Sequence, residues 1–308
     1  MNAMALRLAS LKALLPELES ALQSFASSPS KFRIVRTVNP TSNPPQTLYI
    51  LDSSFNPPSI AHLALATSAL THPSPSDTAP HRLLLLFSTH NADKTPSPAQ
   101  FVHRIALMTL FAEDLSQTLL GSKPTSTSHT RDTGVSIDIG LTKEPYYSDK
   151  SVAIANTMPP PYPEGVTHVH LVGYDTLIRF CNPKYYSSHE PPLSALAPFF
   201  EAGHKLRVTQ RPYDANDDSS KAFGSVEEQE AYVKRLGDGE WEGEGFERKW
   251  AERIEMVEGD EGVGVSSTRV RSAARDKEWD IVGELCTEGV VAWVREMGLY
   301  AEDTSGKN

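Results

Sequence analysis

Leu8, Leu11, Leu15, Leu18 and Leu22 recur every three or four residues across 4–26, with polar residues between them. That spacing predicts an amphipathic helix lying on the domain. Ser28-Pro29-Ser30 ends it, Lys31 to Val38 reads as a first strand or as the approach to the core, and Asn39 to Pro45 is a loop by composition. Short apolar runs follow. Leu48-Tyr49-Ile50-Leu51 predicts a strand, then comes a turn of small residues and prolines, Ser53 to Ser59, then a helix from His62 to about Leu70. Arg82 to Ser88 has no alternation, which predicts a central parallel strand buried on both faces. A helix is predicted over Ala99 to Asp114, with Phe101, Ile105, Met108 and Leu110 inward. Val135 to Ile139 alternates and predicts a strand near a sheet edge, and His168 to Gly173 and Lys205 to Thr209 predict two more.

Strands separated by helices predict an α/β protein built on a doubly wound parallel sheet, with an N-terminal helix. Ligands of such sheets sit at the carboxyl ends of strands, where the strand order reverses. Ser53 to His62, His90 to Lys94, Gly173 to Asp175 and Gln210-Arg211 all follow strand ends, which points to one shared site. Residues 1–46 are expected to form the N-terminal helix and linker, and 47–211 with 263–300 a single domain. Residues 212–262, rich in Asp, Glu and Gly, read as an acidic, lid-like insertion with helices near 225–236 and 246–254.

The turn after the first central strand is the chemically informative stretch. A strand that stops there leaves backbone N–H groups facing a site at the next helix N-terminus, an anion-binding arrangement. His62, just inside the helix, is placed to reach a phosphate oxygen. A second such stretch is Val265-Ser266-Ser267-Thr268-Arg269-Val270-Arg271, where Ser266 or Ser267 caps a helix. The hydroxyls of Ser267 and Thr268 and the Arg271 guanidinium can face one anion.

Composition narrows the partners. A net charge of −10 argues against general nucleic-acid binding, although a small nucleotide needs only a local basic pocket. Cys181 and Cys286 have no metal spacing and point to a reducing compartment. No apolar run approaches the ~20 residues that span a bilayer. Arg7 and Lys12 are soon followed by Glu17 and Glu19, which argues against a secretory leader. A cytoplasmic protein is expected, with the nucleus as a second compartment open to it. No G-x-G-x-x-G follows a strand, which argues against a dehydrogenase.

Ser54-Phe55-Asn56-Pro57-Pro58-Ser59-Ile60-Ala61-His62 resembles the G-S-F-[ND]-P-x-[TH]-x-x-H loop of nucleotidyltransferases with a Rossmann-like core, above all the nicotinamide and nicotinate mononucleotide adenylyltransferases. Ser266 to Arg271 resembles the I-S-S-T-x-[IV]-R motif of the same family. Gly173-Tyr174-Asp175 to Phe180, then Pro183 to Tyr186, resembles its G-x-D-x-L-x-x-F…P-x-x-W segment. The resemblance covers roughly 47–298, with 71–80, 121–134 and 212–262 poorly matched.

The resemblance implies direct adenylyl transfer from ATP, with Mg²⁺, to a pyridine mononucleotide. It assigns His62, Lys94 and Arg271 to catalysis. Ser54, Phe55, Ser59, His62, Gly173, Asp175, Ser267, Thr268 and Arg271 are implied to bind ATP, and Ser53, Tyr146, Tyr185 and Tyr186 the mononucleotide. Neither nucleic acid nor membrane is expected as a partner, and no protein metal site. His103-Arg104 reads equally as a phosphate contact or a helix-face ion pair, whereas His168 and His170 read as sheet histidines.

The chain departs from the family pattern at four places. Ser53 stands for a glycine, Ala61 for a common glycine, Val263 for an asparagine, and tyrosines for the pocket tryptophans. If the glycine position needs positive φ, Ser53 strains or moves the loop. The triphosphate site is therefore better supported than the mononucleotide pocket. The same transfer to another phosphorylated acceptor, or an ATP-binding or ATP-hydrolysing regulator without transfer, are the competing readings.

Overall fold

The computed structural model describes residues 3–89, 100–121, 134–211, 223–259 and 266–301. Lys94 and Val263, and with them the expectations placed on them, lie outside the described residues.

Helix α1 (Ala3–Ser27) precedes a seven-stranded sheet with strands β1 (Phe32–Val38), β2 (Thr47–Asp52), β3 (His81–Ser88), β4 (Ile137–Thr142), β5 (Thr167–Gly173), β6 (Lys205–Thr209) and β7 (Ile254–Val257). Their spatial order is β1-β4-β3-β2-β5-β6-β7. β2 pairs in parallel with both β3 and β5, β4 with β3, β6 with β5 and β7 with β6. Only β1 runs antiparallel, against β4. The order reverses between β2 and β5, so the crevice for a ligand opens beyond Asp52 and Gly173. This is the doubly wound α/β fold that the sequence predicts.

The side-chain alternation of β2 assigns its two faces. Tyr49 and Leu51 join one core with Leu83, Leu85 and Phe87 of β3. That core is covered by α1, α2 (Ile60–Thr71), α3 (Phe101–Gly121), α8 (Ser267–Arg275), α9 (Trp279–Leu285) and α10 (Glu288–Glu296). Leu48, Ile50, Leu84 and Leu86 face the other way, against α4 (Tyr147–Ala155). α5 (Tyr174–Phe180), α6 (Ala197–Glu201) and α7 (Val226–Asp238) gather around β5 and β6 in a third cluster.

Ion pairs fix the terminal helices. Arg7 of α1 bonds to Glu113 at 3.0 Å and to Asp114 at 2.8 Å. Asp114 also accepts the Gly289 N–H at 2.8 Å, placing a carboxylate at the N-terminus of α10.

Lys31 to Val38 contains the antiparallel edge strand β1, one of its two readings, and β4 lies next to it, near the edge as its alternation predicts. Asp138 of β4 is buried and bonded to Thr37 at 2.7 Å and Tyr162 at 2.9 Å. The stretch near 246–254 is a 3-10 turn (Arg248–Arg253) running into β7 rather than a helix. Within the described part of this segment, Leu236, Phe246 and Trp250 are buried. Trp250 stacks on Phe200, ring centroids 5.2 Å apart. Trp250→Ala is therefore expected to lower unfolding stability by ~3–5 kcal/mol in urea titration. An unchanged midpoint would mean that this segment folds apart from the core.

His168 and His170 are buried in β5, as a sheet position predicts. His168 stacks on His204 at 4.2 Å. Burial pushes all three histidines below their ordinary range, His204 to about 4. A histidine held neutral in the fold but free to protonate when unfolded contributes stability that is complete above its unfolded pKa of ~6.5 and lost as pH falls toward the folded value. Urea stability should thus decline between pH 7 and pH 5. Equal midpoints at the two values would contradict this.

Candidate active site

The loop 53–59 leaves β2 at the order reversal and enters α2 through Ser59. Phe55 holds the left-handed conformation at φ 44° with its side chain fully buried, so packing stabilises a backbone that an unpacked residue would avoid. Ser53 is not among the residues of positive φ. The serine in the glycine position therefore costs no backbone strain.

His62 is held by its own loop. The Ser59 N–H donates to Nδ1 at 3.0 Å, so Nδ1 carries a lone pair and the ring proton is on Nε2. Nε2–H then donates to Ser53 Oγ at 2.8 Å. The ring also lies 5.3 Å from Phe55, centroid to centroid. Burial pushes the His62 pKa down to about 4, so at neutral pH the ring is an uncharged donor. Ser59, expected to offer its hydroxyl to phosphate, is buried with Oγ 3.0 Å from Nδ1 and orients the ring instead.

Helix α8 closes on this loop. Ser266 caps it, accepting the Arg269 N–H at 3.3 Å. Ser267 Oγ donates to the Pro57 carbonyl at 2.9 Å, and Arg271 Nη1 to the Asn56 carbonyl at 2.9 Å. Arg271 Nη2 donates to Thr268 Oγ1 at 3.0 Å. Two further donors were not marked by any motif. Tyr300 donates to Asn56 Oδ1 at 2.9 Å, and Cys286 Sγ to the Pro58 carbonyl at 3.2 Å. The two motifs, more than two hundred positions apart, thus form one body. Ser267 and Arg271 hold the loop in this state, in addition to any phosphate role.

Arg104 is buried between the Phe87 and Phe101 rings and reaches the Ser54 carbonyl at 3.5 Å. Burial, with the like charge of Arg271 nearby, lowers its pKa to about 10. It thus faces the loop. His103 instead lies 6.1 Å from Trp293.

Across the crevice, Gly173 precedes α5 and packs so closely that a Cβ there would stand 2.8 Å from Asp175 Oδ1. Asp175 bonds to Arg179 at 2.8 Å, with Arg211 at 4.0 Å. Of the expected pocket aromatics, Tyr146 is half-buried with its ring 6.1 Å from that of Tyr186. Tyr186 is buried, its hydroxyl spent on the Phe180 carbonyl at 2.9 Å, and Tyr185 lies beneath the Lys184 ammonium at 4.7 Å. Tyr186 is thus a core residue of this state rather than an open stacking platform. Tyr147 and Lys150, which no motif marked, fill the neighbouring space, with Nζ 4.9 Å from the ring centroid.

No family model matches the chain. A Schizosaccharomyces pombe protein named "Putative nicotinamide mononucleotide adenylyltransferase" is 31% identical over 254 residues, covering 82% of this chain and 84% of that protein. The chain belongs to the nicotinamide mononucleotide adenylyltransferase family. Among solved structures, a Plasmodium falciparum nicotinic acid mononucleotide adenylyltransferase complexed with NaAD overlaps at TM-score 0.47 and 12% identity, over 83% of this chain and 97% of that one. Thermotoga maritima TmcAL bound with alpha-thio ATP overlaps at 0.35 and 15%, over 82% and 56%. Membership rests on the sequence match.

For this member of the family, a nitrogen-detected NMR titration should find His62 as the Nε2–H tautomer and neutral down to pH about 5. Titration near 6.5 would show that the ring is solvated and that Ser59 does not fix it.

Proposed function

We propose that the protein transfers the adenylyl group of ATP to nicotinamide mononucleotide, or to its nicotinate analogue, giving the dinucleotide and pyrophosphate. The observation that carries this reading is the clasp of α8 on loop 53–59, which joins the loop that leads to His62 to the helix that carries Ser267, Thr268 and Arg271. An oxygen of the acceptor 5′-phosphate attacks the α-phosphorus in line, the bond to the bridging oxygen breaks, and pyrophosphate departs. No covalent enzyme intermediate is required, so catalysis rests on positioning and on neutralising phosphate charge.

His62 would turn its Nε2–H from Ser53 to an α-phosphate oxygen, as a neutral donor. Thr268, exposed at the first turn of α8, and Arg271 would take the outer phosphates. Lys94 joins them by family resemblance. Mg²⁺ would arrive on the ATP phosphates and screen their charge. Asp175, partly exposed beside Arg179 and Arg211, would contact ribose or orient the metal.

The burial of Tyr186 favours one second reading, the same transfer to a different phosphorylated acceptor. Among the described residues, no helix is long and apolar enough to cross a membrane, and a cytoplasmic or nuclear site of action is part of the proposal.

Purified protein with ATP, Mg²⁺ and nicotinamide mononucleotide should form NAD, and His62→Ala should reduce kcat by about 100-fold while remaining folded. Arg271→Ala should lose both turnover and ATP affinity. Wild-type protein that binds ATP but forms no NAD would remove the acceptor assignment and leave the phosphate site.

A further inference from the structure

Asp52 is the last residue of β2, one position before Ser53, whose hydroxyl holds His62. Its carboxylate bonds to the Lys150 ammonium, which reaches over from α4. Both side chains are nearly closed to solvent, at 6% and 7% exposure. Two other ion pairs of the sheet, Lys205–Asp77 and Arg82–Asp138, involve residues at the amino ends of β6, β3 and β4, and a third, Arg207–Glu255, joins β6 to β7. The Asp52–Lys150 pair lies at the carboxyl end, where the order reverses.

Lys150 also stands over the Tyr147 ring, 4.9 Å from its centroid. Burial, then the charge of Asp52, raises the Tyr147 phenol above its ordinary range, while Arg179 and a hydrogen bond to Thr176 oppose the shift. Lys150, Tyr147 and Thr176 therefore bridge the ends of β2 and β5, the two walls of the crevice. A buried ion pair seldom stabilises a fold more than an apolar pair of similar volume would. A bare carboxylate beside a phosphate loop would repel any nucleotide, and the lysine cancels that repulsion.

We propose that Lys150 is a further phosphate-binding cation of this site, with Asp52 as the positioning residue that holds the ammonium at the mouth of the loop and attenuates its charge. This rests on the nucleotide-binding reading of the crevice and adds to it a residue pair that no motif assigns. It makes a prediction of opposite sign for the two partners, which a merely structural ion pair does not. Asp52→Asn removes the attenuation and should tighten phosphate-ligand binding, whereas Lys150→Met leaves a buried carboxylate facing the ligand and should weaken it. At a separation of several ångströms and an effective dielectric near 20, each change is expected to be about a hundredfold.

The experiment is calorimetric titration of full-length wild type, Asp52→Asn, Lys150→Met and the double variant with ATP–Mg²⁺ and, separately, with nicotinamide mononucleotide. Urea midpoints are recorded alongside. The double variant keeps the test sound if Lys150→Met fails to fold, because it buries no unpaired charge. It should bind about a hundredfold more weakly than Asp52→Asn, from which it differs only by the ammonium. Opposite shifts for the single variants, with both midpoints lowered, establish the assignment. Shifts of the same sign, or no difference between Asp52→Asn and the double variant, overturn it whatever NAD formation shows. Opposite shifts with ATP but no mononucleotide binding by any variant would keep Lys150 as a phosphate cation and remove the acceptor reading.

Discussion

The site depends on a loop whose carbonyls are held from the far end of the chain. Arg271, Ser267 and Cys286 donate to the carbonyls of Asn56, Pro57 and Pro58 in turn, while Tyr300 holds the Asn56 side chain. Prolines 57 and 58 have no N–H, and a loop with fixed, outward carbonyls would be poor ground for an anion. Donors from α8 and beyond satisfy those carbonyls from behind. The same loop also holds His62, through the Ser59 N–H and the Ser53 hydroxyl. The rest of the architecture serves this contact, since Asp114 at the start of α10 and Arg7 behind it fix the C-terminal helices against α3.

Much of this was legible in the residues. The apolar runs of β2 and β3, the turn that follows Leu51, and the serine cap of α8 each have a local physical signature. They gave the sheet, the loop and the closing helix. What escaped was set by tertiary pairing. Asp138 reads as an outward position, yet it is buried because Thr37, Tyr162 and Arg82 meet it. Ile254 to Val257 is too short and too close to a charged run to signal a strand, and it forms one because β6 presents an open edge.

The site shows the same division. His62 and Arg271 stand at positions that motif spacing marks. Lys150, Tyr147 and Tyr300 carry no such mark, because their partners lie far away in sequence. Ser59 and Tyr186 were given ligand-facing roles, but their hydroxyls are committed to His62 and to the Phe180 carbonyl. A hydroxyl in a sequence has no direction until its neighbours are known. Charge behaves similarly: the acidic total says little about where the basic side chains fall, with Arg104 and Arg271 on the loop and Arg179 and Arg211 at Asp175.

The clasp also has a consequence for biosynthesis. Ser267 meets Pro57 across 210 positions and Tyr300 meets Asn56 across 244. During translation the sheet strands through β6 emerge well before α8, and contacts of such long range form late. A partly made chain therefore carries the 53–59 loop with no clasp, and the geometry that His62 and α8 share comes into being only with the last helices of the fold.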